Sequence, residues 1–135
     1  MKFYLAGAFA TRKFLMGIRD KIEAKGKHLC VSGWLEPGVR DRNIYDDTGH
    51  YIRTWSLNYA KGDFQDIDAC DVFILSDDGY PSTGGRNVEL GYALAQGKHI
   101  IRVGPSSNIF ADALCDDEFY NWADCISYLS CGFTF

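Results

Sequence analysis

The chain predicts an α/β fold, a flavodoxin-like doubly wound sandwich with a five-stranded parallel sheet in the order 2-1-3-4-5. Three observations carry this expectation. Short apolar runs alternate with segments of helical periodicity, and the strand-like runs end in glycine or in clusters of turn formers. The 135 residues also have room for about five strands, within the size of one domain over residues 1–135. Strands that alternate with helices imply right-handed βαβ units and a sheet covered on both faces.

Each element follows in order. Lys2–Ala6 (KFYLA) is a short apolar run stopped by Gly7, the pattern of a buried first strand. In residues 12–24, Phe14, Leu15, Ile18 and Ile22 recur at helical spacing, and Gly26 stands where a C-terminal cap belongs. Residues 28–32 read as a second strand, and residues 56–69 as a helix with Leu57, Ala60, Phe64 and Ile67 on one stripe. The third strand, DVFIL at 71–75, is bounded by the turn-rich SDDGYPSTGG. A helix carrying Glu89 follows and ends at Gly97. Its Val88, Leu90, Gly91, Tyr92, Ala93, Leu94 and Ala95 leave almost no polar face, so it should be buried nearly all round. His99–Val103 is the fourth strand, a fifth short one is expected near Leu114, and residues 119–129 form a closing helix. The irregular segment is 33–54, polar but holding Trp34, Tyr45 and Tyr51, with Trp55 just beyond; segments of this length usually serve as functional lids or stay disordered.

In this strand order, strands 1 and 3 are neighbours and ligands bind outside their carboxyl ends. Gly7 and Phe9 leave strand 1 at that edge; Asp77, Asp78 and the glycine-rich turn leave strand 3 there. Gly84 and Gly85 at a helix start suit an anion cradle, since backbone NH groups there are unpaired and face outward. Ser82 and Thr83 can add hydroxyl donors or cap the helix. The spacing matches neither GxGxxG nor GxxxxGK[ST], so no dinucleotide or nucleoside-triphosphate cofactor is implied. Glu89 is either a first-turn acid meeting the macrodipole or a buried carboxylate with chemical work to do. Asp63 lies on the edge of the stripe that carries Ile67, whereas Asp66 and Asp68 point further from it. Asp77 and Asp78 suit turn formation as well as chemistry. Tyr4 is either core or the orienting partner of a carboxylate, and Trp34 either stacks on a base or pins the long segment. Asp46 and Asp47 read as solvated loop acids, and His28, His50 and His99 as structural or exposed.

Composition narrows the field. A net charge of -4 argues against a nucleic-acid polymer as partner, because backbone binding needs clustered Lys and Arg. The five cysteines are odd in number and lack CxxC spacing, which encodes neither a disulfide framework nor a metal site and fits reduced thiols in a cytoplasm. The opening MKFYLAGAF is too short an apolar run for a signal peptide, and no stretch is expected to span a membrane.

Together, YLAG at 4–7, GDFQDIDACDVFIL at 62–75, STGGRNVELGYALAQGK at 82–98 and, more weakly, VGPSSNIF at 103–110 resemble the nucleoside 2-deoxyribosyltransferase family. Its relatives include hydrolases of the N-glycosidic bond of 2'-deoxynucleoside 5'-monophosphates. The resemblance implies Glu89 as the nucleophile that attacks the sugar's anomeric carbon, Tyr4 as the tyrosine that holds it, and Asp63 as an acid near the leaving base. Asp77 or Asp78 would assist base protonation, Ser82 or Thr83 would contact a 5'-phosphate, and Asn108 would reach a neighbouring subunit's site. It further implies a small-molecule deoxynucleoside or deoxynucleotide and a free base as partners, a homo-oligomer, and no cofactor. No family pattern aligns with 33–54. The chemistry suits these residues: an oxocarbenium-like state is stabilised by a carboxylate beneath the sugar, and a second acid must protonate the departing base. The expected activity is base transfer, with hydrolysis as the alternative. A nucleotide-sensing domain without turnover is a second reading, and an assembly protein, suggested by the aromatic tail GFTF at 132–135, is a third.

Overall fold

Five parallel strands form one sheet in the order β2-β1-β3-β4-β5, the order the sequence predicts. The structure, a computed structural model, describes residues 1–36, 53–81, 84–105 and 108–131. The strands are β1 (Lys2–Ala6), β2 (Leu29–Cys30), β3 (Val72–Ser76), β4 (His99–Val103) and β5 (Asp117–Phe119). The helices are α1 (Arg12–Glu23), α2 (Arg53–Ala69), α3 (Gly85–Ala95), α4 (Ile109–Leu114) and α5 (Trp122–Ser130). Strands β1 and β3 are buried almost throughout because both faces of a parallel sheet are covered. Their register sets Tyr4 beside Phe73 and Ala6 beside Leu75. The rings of Tyr4 and Phe73 stack with centroids 5.6 Å apart and planes 8° from parallel. Since β1 turns to β2 in one direction and β3 to β5 in the other, right-handed crossovers put α1 opposite α2 and α3. Helix α1 accordingly packs with α5, and α2 with α3.

Turn chemistry closes several elements where the sequence predicts it. Gly97 takes φ +71° directly after α3, a left-handed conformation that glycine adopts without penalty. Four expectations need correction. Leu114 ends a short helix, not a strand: Asn108 caps that helix by accepting from the Phe110 and Ala111 amides, and the strand falls at Asp117–Phe119. Phe119 therefore belongs to β5, and Asn121 caps α5 one residue before Trp122. The stripe on α2 is buried only toward its C-terminal end, where Ile67 is enclosed while Leu57 remains 49% exposed. At 1.5 Å per residue the 17-residue α2 is about 25 Å long, against about 16 Å for the five-residue β3, so its first turns overhang the carboxyl edge. Helix α3 is not buried all round either. Leu90 and Ala93 face the core, but Val88 is 61% exposed, because one layer of helices covers each face of the sheet and nothing described covers α3 from outside.

Among the described residues, no helix is long and apolar enough to cross a membrane, and no cluster of three potential metal ligands occurs. His28 and His99 are structural, as expected: the His28 Nε2 is 2.8 Å from the Leu129 carbonyl, and the His99 Nε2 is 2.7 Å from Asp117.

Candidate active site

The carboxyl ends of β1 and β3 bring the two glycine-marked loops side by side. Gly7 packs closely at that junction: a Cβ there would lie 2.5 Å from the Cδ1 of Leu15 on α1 and 3.4 Å from the Ser76 Cβ at the end of β3. Beyond Gly7, residues Phe9–Thr11 form a single 3-10 turn. The Arg12 guanidinium lies over the Phe9 ring, 5.4 Å from its centroid, and the Phe9 and Trp34 rings are tilted with centroids 6.5 Å apart. Trp34 is 4% exposed and its indole NH donates to the Leu5 carbonyl at 2.8 Å, so it holds the chain after β2 onto β1. Phe9, 47% exposed, is the ring of this pair that offers a surface.

On the β3 side, Asp77 is buried. Its amide donates to the Val103 carbonyl at 2.8 Å, and its Oδ2 stands 3.7 Å from the Arg102 Nη1. Arg102 also pairs with Asp112 and donates to Glu118 at 2.7 Å, which ties the end of β3 to α4 and β5. Asp78 accepts from the Arg86 guanidinium at 3.2 Å and from the Tyr80 amide at 2.9 Å. Gly84, at φ +99°, is the N-cap of α3, and Gly85 is its first residue. Ser82 and Thr83 lie outside the described residues, as do 37–52 with Tyr45, Asp46, Asp47, His50 and Tyr51, and the tail 132–135.

Glu89 is half-buried at the fifth position of α3, a helix that packs on β1 and β3. It sits in the second turn, not the first, so the macrodipole, which fades within one turn, acts on it less than the sequence suggests. Tyr4 is fully enclosed in β1, the strand that α3 touches. Asp63 is 8% exposed on α2, which packs against both α3 and β1. Three of the predicted catalytic side chains thus sit on elements in mutual contact. The distinction drawn among the α2 acids also holds. Asp68 lies at the surface and accepts from the Tyr92 hydroxyl at 2.7 Å. Asp66 accepts from the Gly33 amide at 2.9 Å, and burial pushes its carboxyl above the ordinary range despite that bond. Asn108 is engaged within the chain: besides capping α4, its amide donates to Asn87 of α3 at 3.1 Å.

Sequence reading missed Arg86, Asn87 and Arg102 as organisers of this edge. Two signals were available: a cation in the first turn of α3, where the macrodipole disfavours it, and an arginine inside the apolar strand HIIRV.

The model of the nucleoside 2-deoxyribosyltransferase family matches residues 3–119. No curated protein matches the chain. Among solved structures, a 2-deoxyribosyltransferase from Bacillus psychrosaccharolyticus is similar at 19% identity and TM-score 0.72, over 100% of this chain and 93% of that one. The CMP N-glycosidase of Clostridium botulinum is similar at 19% identity and TM-score 0.61, over 96% of this chain and 98% of that one. A protein from Enterococcus faecalis follows at 15% identity and TM-score 0.63, over 96% of each chain. At these identities the structural likeness speaks to the fold. The match over residues 3–119 decides more: this chain belongs to the nucleoside 2-deoxyribosyltransferase family.

Proposed function

We propose that the protein cleaves the N-glycosidic bond of a 2'-deoxynucleoside or its 5'-monophosphate and passes the sugar to another base, with Glu89 as nucleophile. The observation that carries this reading is the half-buried Glu89 on a helix packed against Tyr4's strand, in a chain of this family. The Glu89 carboxylate attacks C1', the C1'–N bond breaks, and its electron pair leaves with the base. Asp63, as the acid, delivers a proton to that base. The incoming base, or water, then attacks C1', releases Glu89 and returns a proton to Asp63. Tyr4 orients the nucleophile. Asp78, engaged by Arg86 and the Tyr80 amide, serves the loop and not proton transfer, while Phe9 stacks on the base. The turn containing Ser82, Thr83, Gly84 and Gly85 contacts the sugar or its phosphate.

The test is incubation with 2'-deoxynucleosides and a different free base, and separately with 2'-deoxynucleoside and ribonucleoside 5'-monophosphates. Released and exchanged bases are followed by chromatography. Base exchange is expected, base release alone would mean hydrolysis, and Glu89→Gln should lower kcat about 10³-fold or more with the fold intact. Intact mass spectrometry should find a glycosyl adduct on the wild type and none on Glu89→Gln. Absence of base release and exchange from every substrate would reject the reading.

A single domain, a homo-oligomer and a cytoplasmic setting belong to the same proposal. Exposed Val88 (61%), Ile109 (71%) and Phe110 (63%) flank the Asn87–Asn108 bond at the site's edge, an apolar surface that a second copy would cover. All five cysteines are free, consistent with a reducing compartment. Light scattering across a dilution series tests the assembly.

A further inference from the structure

Arg86 is the second residue of α3, where a positive charge meets the positive end of the macrodipole. Its side chain is only 10% exposed, and the guanidinium turns back onto the chain that precedes it. Nη1 donates to the Ser76 carbonyl at 3.1 Å and to the Asp78 Oδ1 at 3.2 Å, and Nη2 donates to the Tyr80 carbonyl at 2.7 Å. Asp78 Oδ1 also accepts from the Tyr80 amide at 2.9 Å, and Gly79 supplies the left-handed residue of the turn with φ +77°. One planar group therefore joins the last residue of β3, the turn after it and the first turn of α3. A guanidinium can do this because its donors form a rigid fork that reaches several acceptors at once.

Glu89 follows Arg86 by three residues, less than one helical turn. A brace that holds the first turn of α3 to the end of β3 also fixes how far along, and how far around, the helix presents Glu89. We infer that Arg86 is a positioning residue for the nucleophile: its guanidinium sets the seat of α3 on β3, and it is not the donor that recognises a phosphate. This inference rests on the proposed role of Glu89. It gives a cation in a glycine-rich turn a different task from the anion binding that such a turn first suggests, because its charge is met by Asp78 of its own chain.

The experiment compares wild type, Arg86→Lys and Arg86→Gln with a 2'-deoxynucleoside and with its 5'-monophosphate, and follows amide hydrogen exchange over residues 76–89. Displacing a reacting group by about 1 Å lowers rate by about 100-fold, so kcat should fall about 10- to 100-fold in both variants and equally for both substrates. Lysine should not restore it, because a single ammonium cannot span three acceptors. Guanidinium ion, added far below denaturing concentrations, should restore part of kcat in Arg86→Gln, whereas ammonium should not. Exchange over 76–89 should quicken while the rest of the sheet keeps its protection, which separates local loosening from loss of fold. An unchanged kcat in both variants overturns the inference, as does a KM that rises for the monophosphate alone, the mark of a phosphate ligand. Should Arg86→Gln fail to fold, Arg86→Lys decides: wild-type kcat and exchange would overturn the inference. If the wild type turns over no substrate, the function falls, and the exchange arm still rules on the brace. Unchanged protection over 76–89 in both variants then overturns it.

Discussion

Gly104 leaves β4 at φ +122°, and a Cβ built there would lie 2.7 Å from the Asp77 carbonyl carbon and closer still to its oxygen. Both atoms belong to backbone, so no rotamer change relieves the clash. Gly104→Ala therefore combines a strained conformation, costing about 1–3 kcal/mol, with an overpacked contact that costs about 1–3 kcal/mol. Their sum is about 2–6 kcal/mol. For a chain of 135 residues, the unfolding entropy of about 2.1 cal/mol/K per residue converts this to a Tm lower by about 7–21 °C. The contact lies at the start of the β3–α3 connection, so relaxation moves Asp77 and Asp78 and activity should fall with stability. Differential scanning calorimetry measures the first effect, with Gly17→Ala as the control. Gly17 lies inside α1 with nothing within 4 Å of the added methyl, and that variant should gain about 0.5–1 kcal/mol. A Tm within about 3 °C of wild type for Gly104→Ala would refute the packing argument, since neither strain nor overlap could then have its stated size.

Two further outcomes follow from burial. Trp34→Phe removes an indole donor 2.8 Å from the Leu5 carbonyl and part of a buried ring, and should cost about 2–3 kcal/mol in urea denaturation; a loss below about 0.5 kcal/mol would show that Trp34 pins nothing. Burial pushes the Cys70 thiol up to about 11 and the Cys125 thiol up to about 12, so at pH 8 about one Cys70 thiol in a thousand is ionised and fewer at Cys125. Exposed Cys131 should react first with a thiol reagent, and Cys70 and Cys125 only after unfolding. Rapid native labelling of Cys70 or Cys125 would contradict the burial. Because both folded values are raised, the stability these thiols contribute is complete below the unfolded range near about 8.5. It is lost as pH rises toward about 11 and 12, which denaturation midpoints measured from pH 8 upward should follow.

Elements were legible wherever one local rule acted alone. The apolar run KFYLA became β1 without a shift in bounds, and Gly97 ended α3 as a left-handed glycine should. Periodicity misled where burial depended on what lay opposite. Leu57 falls on the stripe of α2 yet stays exposed, because the helix is longer than the strand it returns to. Val88 looked enclosed because its neighbours are apolar, but the wheel carries no information on whether a second layer covers that side. The fifth strand was displaced because Asn108 and Asn121 act as helix caps, a role that their own side-chain geometry reveals.

Order along the chain determined the architecture: alternating strand and helix patterns admit few right-handed windings, and glycines after strands 1 and 3 marked the carboxyl edge, where ligands bind in sheets of this order. The pattern within 82–98 placed Glu89 in the helix after the third strand, and the family resemblance implied its role as nucleophile. Tertiary structure alone decided how the turn before α3 is held. Arg86, Asp78 and Ser76 meet through a turn, and Arg102 gathers Asp77, Asp112 and Glu118 from three elements. Periodicity is a property of near neighbours, whereas a charge inside a protein is stabilised by whatever the folded chain brings within a few ångströms, and those partners are set by the crossing of elements distant in sequence.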